Sequence, residues 1–110
     1  MTMSVIGWHT ARLPGGVTPE AIKVLEEMAQ WLKEKGATNV HVVKLDDHHY
    51  RMIDFWPDHA THDRMQAATH EPAVQALVQR FRATLHSEDV GSSGLEGHFQ
   101  WGRGEIVATH

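Results

Sequence analysis

Five of the ten histidines in this chain, His48, His49, His59, His62 and His70, fall within the segment 48–70, and that crowding is the strongest chemical signal in the sequence. Imidazole titrates near neutral pH, moves protons and binds metals. The segment also carries Tyr50, Arg51, Asp54, Trp56 and Asp58, so aromatic surface, carboxylates and a cation accompany the bases. Trp8 and Trp56 share numerical parity with Tyr50 and Asp54. An aromatic pair beside a carboxylate suits a flat molecule, and the Asp54 carboxylate can orient a histidine base. His70 precedes the Glu71-Pro72 break, where a pocket mouth can open and a histidine can take an acidic proton. A capping or solvent-exposed histidine is the alternative there. His49 is the second candidate base. Arg51 and Arg82 are candidates for steadying an oxyanion, against the commoner fate of a surface ion pair.

Asp58-His59-Ala-Thr-His62-Asp63 contains an H-x-x-H pair, which on a helix puts two imidazoles on one face. With His48 or His49 it would make a three-histidine metal site. The glutamate-bearing H-E-x-x-H pattern is absent, and a solvated helix face is the favoured reading, so no metal is expected. His62 is kept as a substrate-binding candidate. Ser92-Ser93 lacks a G-x-S-x-G elbow, and G-x-G-x-x-G and G-x-x-x-x-G-K are both missing. With no cysteine, disulfides, thiolate metal sites and cysteine nucleophiles are excluded.

The elements that must position these groups are legible. One hundred and ten residues suit a single domain spanning 1–110. A formal charge of −4 and scattered Lys and Arg disfavour nucleic acid as a partner. Met1 to Leu13 lacks a signal-peptide pattern, and no apolar run approaches membrane-spanning length, so a cytoplasmic protein with no membrane partner is expected. Val5–Leu13 reads as a strand closed by Pro14-Gly15-Gly16. Thr18-Pro19-Glu20 announces a helix that Gly36 stops. Asn39–Leu45 and His49–Trp56 read as a hairpin around Asp46-Asp47. A short helix follows from about Asp58 to Thr69, Pro72 interrupts it, and a longer helix carries Val74, Leu77, Val78, Phe81 and Leu85 on one face. Ser87–Gly94 reads as a flexible loop, and 95–109 as an extended tail.

The order β-α-β-β-α-β predicts an α+β ferredoxin-like fold, an antiparallel sheet with its helices on one face. By residue number, Val5, Val43, Ile53 and Phe55 fall on one parity and Ile6, Trp8, Val42, Met52 and Trp56 on the other. Both sheet faces therefore carry apolar groups, and an uncovered apolar face predicts a homodimer paired sheet to sheet.

Pro14-Gly15 after the first strand, Tyr50-Arg-Met-Ile-Asp-Phe-Trp56 followed by Pro57-Asp58, and Ala68-Thr-His-Glu-Pro-Ala-Val-Gln-Ala-Leu77 resemble the dimeric α+β barrel superfamily, in particular its antibiotic-biosynthesis-monooxygenase-like branch. The resemblance spans nearly the whole chain. It implies a dimeric barrel with a ligand cavity between helices and sheet, and a cofactor-independent enzyme acting on an aromatic or polyketide-like small molecule. Trp56 matches the family's tryptophan position. His70 or His49, with Asp54, would do the proton transfer, and Trp56, Tyr50, Arg51, Trp8 and His62 would hold the substrate. Alternatives on the same fold are a polyketide cyclase or isomerase, or a dimer that binds haem or another small ligand without turnover.

Overall fold

A computed structural model describes residues 4–85 and 99–109, with backbone alone for 81–85 and 99–101. The elements are β1 (Val5–Arg12), α1 (Pro19–Glu34), β2 (Asn39–Lys44), β3 (His49–Trp56), α2 (His59–Ala68), α3 (Pro72–Leu85) and β4 (Phe99–Glu105). The strands form one antiparallel sheet in the order β2-β3-β1-β4, the ferredoxin-like α+β arrangement. The loop read over Ser87–Gly94 lies outside the described residues.

Local chemistry sets the element ends. The Thr18 hydroxyl accepts from the Ala21 amide at 3.1 Å, and Pro19 opens α1. Gly36 leaves that helix at φ +114°, a backbone setting that L side chains rarely adopt. Asp58 Oδ1 accepts from the Thr61 amide at 2.7 Å and starts α2. In the β2–β3 hairpin, Asp46 Oδ1 accepts the amides of His48 and His49, both at 2.8 Å.

Register then decides which side chains meet. Val5 pairs with Trp56 and Gly7 with Asp54, so odd residues of β1 share a face with even residues of β3. One row across the sheet reads Val40, Asp54, Gly7, Arg103. On the helix-covered face, Val5, Ala11, Tyr50, Met52 and Trp56 are fully or almost fully buried. This corrects the grouping made by residue number. Trp8 and Ile6 belong with Val43, Ile53 and Phe55 on the outer face, so the sheet itself separates Trp8 from Tyr50, Asp54 and Trp56. Numerical parity does not carry from one antiparallel strand to the next. Apolar groups do lie on both faces, and Trp8 and Val43 remain 36% and 37% exposed.

The core beneath the helices falls into two patches. Ala11, Leu13, Ala21, Val24, Leu25, Tyr50 and Met52 form one, and Val5, Ala37, Trp56 and Met65 the other. Leu32 and Val40 touch both. Fully burying a Leu, Val or Met side chain contributes roughly 1.5–3 kcal/mol, so these patches anchor α1 and α2 to the sheet on either side of the row through Gly7.

Candidate functional site

A cavity of about 310 Å³ lies over that row, between the sheet and the three helices. It sits at the small end of the range for ligand sites, roughly 300–1,000 Å³. Its walls are mainly apolar: Met28, Trp31 and Leu32 from α1, Met65 from α2, and Val74, Leu77 and Val78 from α3. Asp54 and His62 meet over Gly7, and His9, Gln66 and Thr69 are the other polar residues of the lining.

Gly7 makes this meeting possible. A Cβ built there would collide with Asp54 Oδ1 and lie 3.2 Å from His62 Nε2. The absent side chain is the space into which α2 lowers His62. Asp54, Trp56 and His62 then form a compact group. The Trp56 indole N–H donates to Asp54 Oδ1, and the Trp56 and His62 rings meet edge to face at 5.3 Å. On its far side, His62 Nδ1 accepts from Arg103 Nη1 at 3.1 Å, and Arg103 Nη1 also donates to Asp63 Oδ1 at 2.6 Å.

Burial sets the proton affinities. It pushes the Asp54 carboxyl above its ordinary value, opposed by the Trp56 hydrogen bond and by His62. Burial also lowers His62, with Asp54 pulling the other way and the Arg103 charge adding to the depression. The result is a strengthened carboxylate base beside a neutral imidazole in an apolar chamber, the setting in which proton transfer from a weakly acidic ligand is easiest to arrange.

A second polar pair borders the same cavity. His9 Nε2 lies 2.9 Å from the Tyr50 hydroxyl, and the rings meet edge to face at 5.4 Å. Burial drives His9 down to about 4 and raises Tyr50.

The structure sorts the sequence candidates. It brings Asp54, Trp56 and His62 together, and Asp54 and His62 line the cavity. Tyr50 is buried beneath it, joined through His9. His70 is exposed at the turn after α2 and does not line the cavity, whereas Gln66 and Thr69 do. His49 is at the hairpin turn, its Nδ1 2.8 Å from Asp46 Oδ1, beyond the core patch that closes that end. Arg51 projects from the outer face and donates to Thr10 Oγ1 at 3.0 Å. The indole of Trp8 lies against Gly102 on that outer face, and the two residues also border the cavity. The Arg82 side chain lies outside the described residues. His59 and His62 turn to different partners, His59 to Glu105 at 2.8 Å. Among the described residues no three potential ligands gather as a metal site. Among the described residues, too, no helix is long and apolar enough to cross a membrane.

Sequence reasoning missed His9, Gly7 and Arg103. Only the register reveals the last two. His9 had a signal, a polar residue alternating with Gly7 and Ala11 on an otherwise buried strand face.

No protein-family model and no curated protein matches the chain. Solved structures do. SnoaB, a cofactor-independent oxygenase from Streptomyces nogalater, is 17% identical over 99% of this chain and 96% of its own, with a TM-score of 0.64. A dimeric ferredoxin-like protein from an uncultured marine organism is 13% identical over 98% and 99%, at 0.67. A protein proposed to be an antibiotic biosynthesis monooxygenase, from Caulobacter crescentus, is 12% identical over 97% and 92%, at 0.66. The fold is therefore the ferredoxin-like α+β fold of the antibiotic-biosynthesis-monooxygenase-like proteins. At these identities the likeness defines the fold, and chemistry must be argued from the site.

Proposed function

We propose that this protein is a cofactor-independent, monooxygenase-like enzyme acting on a flat aromatic or polyketide-like substrate with an acidic C–H or O–H. The observation that carries this reading is the Asp54–His62 pair, backed by Trp56, in a mainly apolar cavity. Asp54 is the base. Taking a proton from an anthrone-like methylene leaves a carbanion conjugated with the rings. That carbanion supplies the electrons for attack on dioxygen. The hydroperoxide that forms then loses water to give a carbonyl, so one oxygen atom stays in the product and the other leaves as water. The Trp56 N–H holds Asp54, and His62 sits where it can steady the developing anion. The apolar walls exclude water and hold the rings.

The protein works as a homodimer in this reading. Ile6, Trp8, Val43, Ile53 and Phe55 form an apolar outer face that a second copy would cover, and one solved structure of the same fold is of a dimeric protein. Oxygen uptake on a panel of quinols and anthrones is the test. Uptake by the intact protein that falls in Asp54→Asn is expected. Ligand binding with no uptake, or uptake indifferent to Asp54, would overturn the enzymatic reading in favour of a binding protein.

A further inference from the structure

We propose that Arg103 is the positioning residue of this site: it holds His62 as the Nε2–H tautomer and aims that hydrogen at the Asp54 end of the cavity. The inference rests on the Asp54–His62 reading above and adds a residue from a different strand.

In the row Asp54, Gly7, Arg103, three neighbouring strands present their residues on one face of the sheet. The middle position has no side chain. His62, lowered from α2, occupies that gap and spans the two outer members of the row. Its Nε2 approaches Gly7 on the Asp54 side, while its Nδ1 lies 3.1 Å from Arg103 Nη1. A guanidinium has five donors and no acceptor, and it keeps its proton at any ordinary pH. A contact between Arg103 and Nδ1 therefore requires a bare ring nitrogen. The imidazole proton must sit on Nε2, facing Asp54. An Nδ1–H tautomer would set two donors against each other, and an imidazolium would add a positive charge beside the guanidinium.

Arg103 is itself held. The same Nη1 donates to Asp63 Oδ1 at 2.6 Å, so the residue next to His62 on α2 fixes the arginine that fixes His62. One row along, His59 Nε2 meets Glu105 Oε1 at 2.8 Å and ties the same helix to the same strand. The charged and titratable groups around His62 are thus Asp54 from β3, Asp63 and His59 from α2, and Arg103 from β4. Asp54 favours a charged imidazole and Arg103 opposes it.

Long-range ¹H–¹⁵N correlation spectra of imidazole-labelled protein read the tautomer directly, without substrate. The intact protein is expected to show His62 with a bare Nδ1 and a protonated Nε2. Arg103→Met removes the donor. It is expected to shift His62 towards a mixture containing Nδ1–H and to raise the pH at which the ring becomes charged. Arg103→Gln, which offers an amide N–H without charge, restores the tautomer but not the low protonation pH. In turnover, Arg103→Met lowers kcat by up to about 100-fold with little change in KM, and Arg103→Gln recovers part of it. An Nδ1–H signature in the intact protein, or an unchanged His62 spectrum and titration in Arg103→Met, overturns the proposal. The two readings fail separately. Absence of turnover on every substrate sinks the enzymatic reading and leaves the spectra to decide the role of Arg103, whereas turnover with an Arg103-independent tautomer sinks the positioning role alone.

Discussion

Two histidine-bearing regions, one at the hairpin and one beneath the helices, show how little local density says about chemistry. At the hairpin, His48 and His49 are adjacent, lie at the surface and serve the turn: His49 Nδ1 meets Asp46, and His48 Nδ1 lies 3.1 Å from the Leu13 carbonyl oxygen. Beneath the helices, His9 and His62 come from elements far apart in the chain, and both are depressed by burial. Water dominates the first region and screens its charges. In the second, every polar group must be matched by a protein partner, so each hydrogen bond there carries information about proton position. Reactivity follows enclosure by several elements.

The largest effect is expected at Asp54. Asp54→Asn is expected to lower turnover by roughly 10²- to 10⁴-fold, the usual contribution of a positioned base. His49→Ala and His70→Ala should leave turnover unchanged. Because burial raises the Asp54 carboxyl, its charged form opposes folding as pH rises through that raised value. The asparagine variant should therefore melt no lower than the parent at neutral pH. A turnover loss in His49→Ala that equals the loss in Asp54→Asn would erase the distinction between the two regions.

Gly7→Ala probes the same spot by volume. Its Cβ would displace the Asp54 carboxylate or His62, which should cost roughly 1–3 kcal/mol of stability and most of the activity. Chemical denaturation together with oxygen uptake measures both. A parent-like variant would mean that the two side chains have room to part.

Acid unfolding separates the two regions again. His9 falls from an ordinary value of 6.5 to about 4, so the unfolded chain takes up its proton first. The associated stability is fully present above pH 6.5 and disappears as pH drops towards 4. A shift of that size corresponds to about 3 kcal/mol. His62 acts in the same direction and Asp54 in the opposite one. Thermal melts of His9→Gln should show a visibly flatter profile over this window. At the alkaline end, raised Tyr50 predicts a loss of stability once pH passes its ordinary value of 10.

A smaller effect is expected on the outer face. Val43→Lys places a charge on the apolar sheet surface and should weaken self-association in sedimentation experiments while leaving the cavity intact. A parent protein that sediments as a monomer at micromolar concentration would remove the dimer from the proposal. Smallest of all, His49→Ala should change folding stability by within about 0.5 kcal/mol, as for most exposed positions.

Much of this architecture is written locally in the chain. Thr18-Pro19 and Asp58 cap their helices, Gly36 ends one and Pro72 divides two, because caps and breakers act over a few residues. Asp54, Trp56 and His62 were also within reach, since a carboxylate, an indole and an imidazole in one short segment already imply a polar pocket. His70 and His49, the candidate bases of that segment, lie outside the cavity because density along the chain carries no depth. Depth comes from register and helix docking, which are set by contacts between residues far apart in sequence. The register of β1 against β3 sent Trp8 to the outer face, placed Gly7 between Asp54 and Arg103, and opened the gap that His62 occupies. A helix cap depends on its own turn, whereas a proton's place on His62 depends on three strands and a helix at once.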